Sequence, residues 1–509
     1  MKKIIFIAVS ALTALFASCN MDKFPHGAIL ESEGVKTMAD AEGFRVGIYT
    51  PMKSLLGGSR YTIDELRSGM IHATADFGNQ NGSFYRWEMM ATEPTSESLW
   101  YGDYSGIVSI NYTIEAYDKL LKDENSGLTA SEKALLKDYT AEAHITRAMI
   151  YWDLVTKYCV AYDPATAQTQ MGLPLQTTYA PTSDVTRYPG RSSLEETYQL
   201  IINDLNAALD LSTPGKTNSN YFTKDVVKAL LARVQLNMKD WTNAAKNAQE
   251  VINSNTYTLA STDAELESLF ISDTSNEILF VVAGSALDRP AATGSEFIHD
   301  TEKGDGSAAD PTYIPSQTLI DLYDAENDMR YPIFFKTKEL SMQGVEPTEI
   351  EMIWKFAGNP TYQVTAGKLN YTNAGKLRLA EMYLVLAEAA ANMGGDGGLS
   401  TAQDALNTLR AARIKNYVDE TYTAREIMGV IKAEWDREFV GEGFRLLNMK
   451  RWGDDLVFGE PQVAEMIYLG TALQSTLNKP ITHSRAVWPI PKVEMDVNPQ
   501  LKGQQNPGY

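Results

Sequence analysis

The sequence predicts a mainly α-helical protein in which helix pairs form a scaffold and a large, irregular, loop-rich part is laid over it. Apolar residues recur at helical spacing in several segments, for example at Ile107, Ile110 and Ile114. By contrast, the segments at about 57–98 and 255–372 are long and polar, with only short strand candidates. Their many aromatic residues favour ordered loops over disorder, and loops on a rigid scaffold are where binding residues concentrate.

The chain begins with the features of a signal peptide, predicted over residues 1–18. Two lysines precede an apolar run from Ile4 to Phe16, which is shorter than the roughly 20 residues that span a bilayer. Small residues then lead to Cys19, as in a bacterial lipobox, although Phe16 stands where Leu is usual. We expect cleavage before Cys19 and lipidation of its thiol; the alternative is simple cleavage, with Cys19 lost or left as a free thiol. Lipidation leaves only Cys159, so no disulfide forms within the chain.

Helical periodicity places the scaffold at about 40–56, 100–254 and 375–440. We expect residues 19–509 to form one domain, which ends in an irregular segment at 441–509. After the signal, the sequence contains no run of 18 apolar residues, so it predicts no membrane-spanning helix there.

Two stretches predict pairs of antiparallel helices. In the first, one helix ends near Lys239 and Trp241 opens the next. In the second, GGDGG at 394–398 lacks the Lys-Ser/Thr of a phosphate-binding loop, so it is interpreted as the turn between two helices. The second helix of that pair carries Ala402, Ala405, Leu406 and Leu409. Alanines at these spacings let helices approach closely, as in tetratricopeptide repeats, although no regular period survives.

Charge and residue types exclude several function classes. The chain has 45 Lys and Arg against 65 Asp and Glu, and its net charge of −20 becomes −22 when Lys2 and Lys3 leave with the signal (−20 − 2). A chain this acidic is repelled by phosphate backbones, which excludes nucleic acid. The five histidines are dispersed without metal-ligand spacing, and no Gly-x-Ser-x-Gly motif occurs. We therefore expect no metal and no cofactor.

One densely charged segment, IKAEWDREFVGEGFRLLNMKRWGD, holds Glu438 and Glu442, four residues apart on one predicted helical face. A glycosidase needs two carboxylates that face each other across a cleft, and neighbours on one helix cannot straddle a substrate. With Arg437, Arg445 and Arg451 nearby, we interpret the segment as a structural ion-pair network. No other segment has the features of an active site, so we expect no catalytic residue.

Several motifs carry a family resemblance. RLAEMYLVLAEAA, LNTLRAAR, REFVGEGFRLLNMKRWG and VWPIPKVEMDVNPQLKGQQNPGY lie in the second half, and SLWYGDYSGIVSINYTIEAYDKL and AEAHITRAMIYWDLVTKY in the first. Together they resemble the SusD/RagB family of Bacteroidetes surface lipoproteins, from Cys19 to Tyr509. The resemblance implies a SusD-like fold of tetratricopeptide-like helix pairs with an irregular loop-rich subdomain. It also implies an outer-membrane protein that is lipid-anchored, faces the cell exterior and has no enzymatic activity.

Within this family, the resemblance implies a partner, a SusC-like TonB-dependent outer-membrane barrel, to which the lipoprotein delivers glycans. The alternative is a RagB-like protein that captures peptides; a secreted glycosidase and a pure protein-interaction scaffold are the other readings. We expect ligand contacts where aromatic rings mix with amides and charged groups. The candidate residues are Asp76, Phe77, Asn81, Tyr85, Arg86, Trp87, Phe297, Trp354 and Tyr362. For Tyr85 and Trp87, the alternative is that they pack the loop onto the scaffold.

Overall fold

The structure is a computed structural model. It describes residues 34–211, 218–291, 293, 297, 311–342, 344–362, 371–468 and 475–509. The predicted signal peptide and Cys19 lie outside these residues. Within them, no helix has both the length and the apolar character needed to cross a bilayer.

α-Helices are the main regular element of the described chain. In order they are α1 (Met38–Tyr49), α2 (Met52–Leu55), α3 (Ser59–Leu66), α4 (Gly82–Tyr85), α5 (Pro94–Lys122), α6 (Ala130–Tyr158), α7 (Leu194–Ala207), α8 (Lys224–Asn237), α9 (Trp241–Ile252), α10 (Asp263–Phe270), α11 (Gln317–Ile320), α12 (Tyr331–Phe334), α13 (Leu379–Met393), α14 (Gly395–Ala411), α15 (Ile427–Glu438), α16 (Phe444–Trp452) and α17 (Lys492–Val497). The mainly α-helical fold class is therefore confirmed.

The strands are short and pair two by two. They are β1 (Ile71–Ala73), β2 (Met171–Pro174), β3 (Arg191–Ser193), β4 (Ile278–Phe280), β5 (Tyr313–Pro315), β6 (Phe335–Leu340), β7 (Thr348–Ile353) and β8 (Leu377–Arg378). The antiparallel pairs are β1–β5, β2–β3, β4–β8 and β6–β7. The strand candidates EILFVVA and EMIWKF supply β4 and the end of β7.

Both predicted helix pairs are present. Helix α8 ends at Asn237, and α9 begins at Trp241 because the side chain of Asp240 accepts a hydrogen bond from the backbone of Asn243 and caps the new helix. The second pair joins more tightly than predicted. The turn is confined to Gly394, with φ of 73°, and Gly395, with φ of 71°, already begins α14; both values lie in the region that favours glycine.

The segments predicted to be irregular contain more helix than expected. Helices α3 and α4 lie within 57–98, and α16 and α17 lie within 441–509. Helix α16 has only nine residues and is bounded by Gly443 and Gly453 in left-handed conformation. Such a segment carries little periodic apolar signal, which is why the sequence did not predict it.

The predicted ion-pair network around Glu438 and Glu442 is present, but its partners differ from those predicted. The two carboxylates do not share a helical face as predicted, because α15 ends at Glu438 and Glu442 lies in the turn that follows. Arg437 pairs with Glu434, whereas the predicted Arg445 and Arg451 pair elsewhere, with Asp436 and Glu388. Glu438 instead binds three arginines from distant segments. We call the whole set the buried ion network: Glu277, Asp328, Arg330, Lys355, Arg378, Arg413, Glu434, Glu438 and Glu442.

The buried ion network fastens the loop-rich part to the scaffold. Arg330, from the loop-rich part, donates to Glu434 at 2.7 Å and to Glu438 at 3.0 Å, both on α15. Lys355 donates to Glu442 at 2.6 Å, and Arg413, after α14, donates to Glu438 at 2.9 Å. Glu438 and Glu442 are 0% and 2% exposed, so they do not flank a substrate cleft as a glycosidase would require.

Candidate functional site

The loop that follows β1, residues 74–88, is held in an unusual backbone conformation. Asn79, Asn81 and Trp87 all have positive φ, at 60°, 54° and 55°. Asn adopts this left-handed region with little penalty, but a bulky residue such as Trp is a genuine outlier there, at about 1 to 3 kcal/mol. Packing compensates for the strain, because the Trp87 indole donates from Nε1 to the carbonyl of Arg67 at 3.2 Å and the Arg67 guanidinium lies 5.3 Å from its ring.

The predicted aromatic ligand residues do not form an exposed platform. Phe77, Tyr85, Trp87, Phe297 and Tyr362 are between 0% and 7% exposed, and all but Tyr362 belong to the hydrophobic core beneath the loop-rich part. A ring buried in this way has no free face for a ligand. For Tyr85 and Trp87 the structure matches the packing alternative. The reason is that short strands and loops lack long apolar stripes, so large rings provide the buried area.

Trp354 occupies a different place from the other candidate rings. It follows β7 and is half-buried, and the ammonium groups of Lys336 and Lys338, on β6, lie 4.5 Å and 5.6 Å from its ring centroid. This is a cation–π arrangement on the surface of a hairpin, of a kind worth about 0.5 to 1 kcal/mol at exposed sites. Trp354 therefore stands apart from the 74–88 loop as a second aromatic feature.

The predicted polar residues do remain at the surface, and the fold brings an unpredicted aromatic residue to them. Asp76 is exposed, and Asn81 and Arg86 are half-buried. The guanidinium of Arg86 donates to Asn79 at 2.9 Å and lies 5.8 Å from the ring centroid of half-buried Tyr468. We call this site the Tyr468 surface, formed by Asp76, Asn79, Gln80, Asn81, Arg86, Glu88 and Tyr468.

The Tyr468 surface rests on a firm support. The ring of Phe77 packs under Tyr468 with centroids 4.6 Å apart, and the backbone N–H of Tyr468 donates to the carbonyl of Ala73 at 2.8 Å. On the other side, the hydroxyl of Tyr313 donates to the carbonyl of Gln80 at 2.5 Å. The buried rings thus hold the polar side chains in place, which reduces the ordering cost when a ligand binds.

Sequence reasoning missed Tyr468 because it is almost 400 residues away from the loop that it joins. It comes from the segment predicted to be irregular, and an isolated β-bridge between Thr74 and Ile467 sets its position. A bridge of one residue pair leaves no periodic signal in a sequence.

The chemistry of the Tyr468 surface is that of recognition. It combines part of an aromatic ring with amides, a guanidinium and two carboxylates, a mixture that satisfies hydroxyl donors and acceptors and the apolar faces of a ligand. In the described part of the chain, no group of three or more His, Cys, Asp or Glu residues could hold a metal ion.

The fold defines a class of protein: a scaffold of helix pairs that carries a loop-rich part, on which the Tyr468 surface lies. Two family models match the chain. The SusD family model matches residues 295–509, and a model described as "Starch-binding associating with outer membrane" matches residues 48–236. The chain belongs to the SusD family, and the resemblance seen in the sequence is confirmed.

Known proteins agree with this assignment. The chain is similar to SusD-like protein P2 of Formosa agariphila, with 23% identity over 491 residues that cover 89% of this chain and 91% of the relative. Its fold is similar to a SusD superfamily protein of Bacteroides thetaiotaomicron, with a TM-score of 0.75 and 24% identity over 92% of this chain and 100% of the other. A laminarin-binding SusD-like protein has a TM-score of 0.68, with 21% identity over 93% and 100% of the two chains.

Proposed function

We propose that the protein binds oligosaccharides at the Tyr468 surface. The observation that carries the proposal is the placement of a partly exposed Tyr468 ring beside Arg86, which also binds Asn79, above the buried ring of Phe77. Sugars offer apolar C–H faces that pack on aromatic rings, and their hydroxyl groups bond to amides and charged groups. The starch-binding description of one family model and the laminarin-binding neighbour support the same ligand class.

The presence of one partly exposed ring predicts how affinity depends on ligand length. One aromatic contact contributes on the order of 1 kcal/mol beyond burial, which is several-fold in affinity. A single sugar therefore binds weakly, and affinity increases with chain length as further units contact neighbouring side chains.

We further propose that the protein is an outer-membrane lipoprotein anchored through Cys19, facing the cell exterior. In this proposal it has no catalytic activity and delivers its ligand to a SusC-like TonB-dependent barrel. The family model that names association with the outer membrane supports this location. Replacement of Cys19 by alanine should then release the protein from the membrane fraction; a variant that stays in the membrane pellet after a high-salt wash would contradict the anchor.

The ligand class is tested first by screening the purified chain against a glycan array and a peptide pool. We expect oligosaccharide binding; capture of peptides alone would contradict the proposal and favour the RagB-like alternative. Release of products from the bound glycan would instead indicate a glycosidase.

The site is tested by calorimetric titration of Tyr468→Ala with the best oligosaccharide from the array. We expect several-fold weaker binding with little change in thermal unfolding. Tyr101→Ala is the matched control, because Tyr101 is 76% exposed on α5 and is not part of the Tyr468 surface. Equal affinities of the two variants would contradict the assignment of the site.

A further inference from the structure

A second candidate site lies in the helical scaffold, where a cavity of about 90 Å³ is lined by residues of α2, α3, α6, α7, α8 and α16. The cavity shares no lining residue with the Tyr468 surface. Part of its lining, which we call the apolar wall, is formed by residues that include Met149, Ile201, Leu205, Leu230 and Phe444. Apolar lining of this kind accommodates hydrocarbon, so the polar groups of the cavity decide which ligand fits.

The cavity lining also includes buried charges that neutralise one another. Arg60 donates to Asp103 and is ion-paired with Asp153, and its side chain is 5% exposed. Lys157, also 5% exposed, lies 2.8 Å from Asp153 and 3.2 Å from Asp64. Each of these two cations therefore has two carboxylate neighbours, which compensates the cost of removing the charges from water.

Lys450 lines the same cavity without such a neighbour. Its ammonium group donates to the backbone carbonyl of Thr156 at 2.9 Å, and within the described residues no carboxylate lies within 4.0 Å of it. An ammonium group has three donors, so two remain for another acceptor. Burial together with the nearby cations Arg67 and Lys157 lowers the Lys450 pKa to about 7, and Asp64 only partly opposes them. The Lys450 side chain is half-buried, so its ammonium group is only partly hydrated, and an anion in the cavity would supply the acceptors that it lacks.

We propose that this cavity binds a small organic carboxylate, with the carboxylate group at Lys450 and the hydrocarbon tail against the apolar wall. The size of the cavity limits the ligand. A cavity of about 150 Å³ holds benzene, so this smaller one suits an acid of roughly three or four carbon atoms. A bare inorganic anion would pair with Lys450 but leave the apolar wall without contacts.

The proposal is tested with sodium propionate as the probe, titrated into the purified chain at pH 6 and constant ionic strength. We expect saturable binding by calorimetry and a matching rise in the unfolding temperature. Propionamide has nearly the same shape without the charge, and we expect it to have no effect. Absence of saturable propionate binding would overturn the proposal, and an equal response to sodium chloride would overturn the assignment to an organic carboxylate.

Two variants locate the site. Lys450→Met keeps the length of the side chain but removes the ammonium group, and we expect at least about tenfold weaker propionate binding. Ala148→Leu fills the cavity from α6, leaves Lys450 in place and should abolish binding, which keeps the test valid if Lys450→Met does not fold. Lys119→Met, at an exposed position on α5, is the control and should bind propionate like the original chain. Unchanged affinity in either cavity variant would refute the proposal, and none of the three should alter oligosaccharide binding at the Tyr468 surface.

Discussion

The helical scaffold and the loop-rich part build their interiors differently. The scaffold core is formed by helices that present small and aliphatic residues at regular spacing, as Leu384, Ala387 and Ala390 do on α13. The core under the loop-rich part depends on large rings such as Trp87 and Phe334, and the buried ion network joins it to the scaffold. Where chain segments are too short to form a stripe, individual large residues and directional ion pairs replace periodicity, so single substitutions should matter more there.

The largest expected effect is that of Trp87→Ala, which removes a fully buried ring and its hydrogen bond. We expect a loss at the upper end of about 3 to 5 kcal/mol in the free energy of unfolding, measured by urea denaturation. Trp354→Ala is the control, since that half-buried ring should cost less than half as much. Equal losses would show that the loop-rich core does not depend on its buried rings.

Glu438→Gln tests the buried ion network. The substitution leaves Arg330, Arg378 and Arg413 without their shared carboxylate, and breaking a buried ionic contact in this way costs about 3 to 5 kcal/mol. We expect tertiary structure, followed by near-ultraviolet circular dichroism, to be lost at lower urea than helix content. Glu420→Gln, at the partly exposed pair with Arg410, should change stability by less than about 1 kcal/mol. If tertiary structure and helix content of Glu438→Gln were lost at the same urea concentration, the result would contradict the role of the buried ion network in holding the loop-rich part on the scaffold.

Acid should weaken the buried ion network. Burial raises the pKa of Glu434, but Arg437 and Arg330 outweigh it and hold the pKa at about 2, below the ordinary value of 4.5. The arginines likewise hold the pKa of Glu438 well below its ordinary value despite burial. These carboxylates therefore stabilise the fold above about pH 4.5, and this contribution is lost as the pH falls toward 2, on the order of 3 kcal/mol for Glu434. Urea midpoints at pH 7, 4.5 and 3 measure the loss, and Glu438→Gln should show a shallower pH dependence.

The smallest expected effect is on the scaffold. Asp240→Ala removes the N-cap of α9, and caps of this type contribute about 1 kcal/mol. Asp404→Ala, at an exposed position within α14, is the control and should be nearly neutral. A cap substitution that destabilised the protein as strongly as Trp87→Ala would remove the contrast between the two regions.

The scaffold could be predicted from the sequence because its signals are local. The boundary between α8 and α9 follows from Asp240 and the alanines that come after it, all within a few residues. The role of Glu438 could also be predicted, since its charged neighbours are evident, but its arginine partners could not, because Arg330 lies 108 residues away. The residues of the candidate site were the least predictable from the sequence. A Trp in a polar loop has the same sequence pattern whether it faces solvent or, like Trp87, closes a core.

One contact in the scaffold joins a helix that is synthesised early to the end of the chain. The side chain of Asn506 donates to the carbonyl of Tyr158, at the end of α6, at 2.8 Å, and to the carbonyl of Trp488 at 2.7 Å. The first bond joins residues that are 348 positions apart. During synthesis, α6 is therefore made long before the segment that covers its C-terminal end, and Tyr158 lacks this cover in the meantime. Contacts this distant in sequence slow folding, so the end of α6 should need protection from aggregation until residues 488–506 arrive.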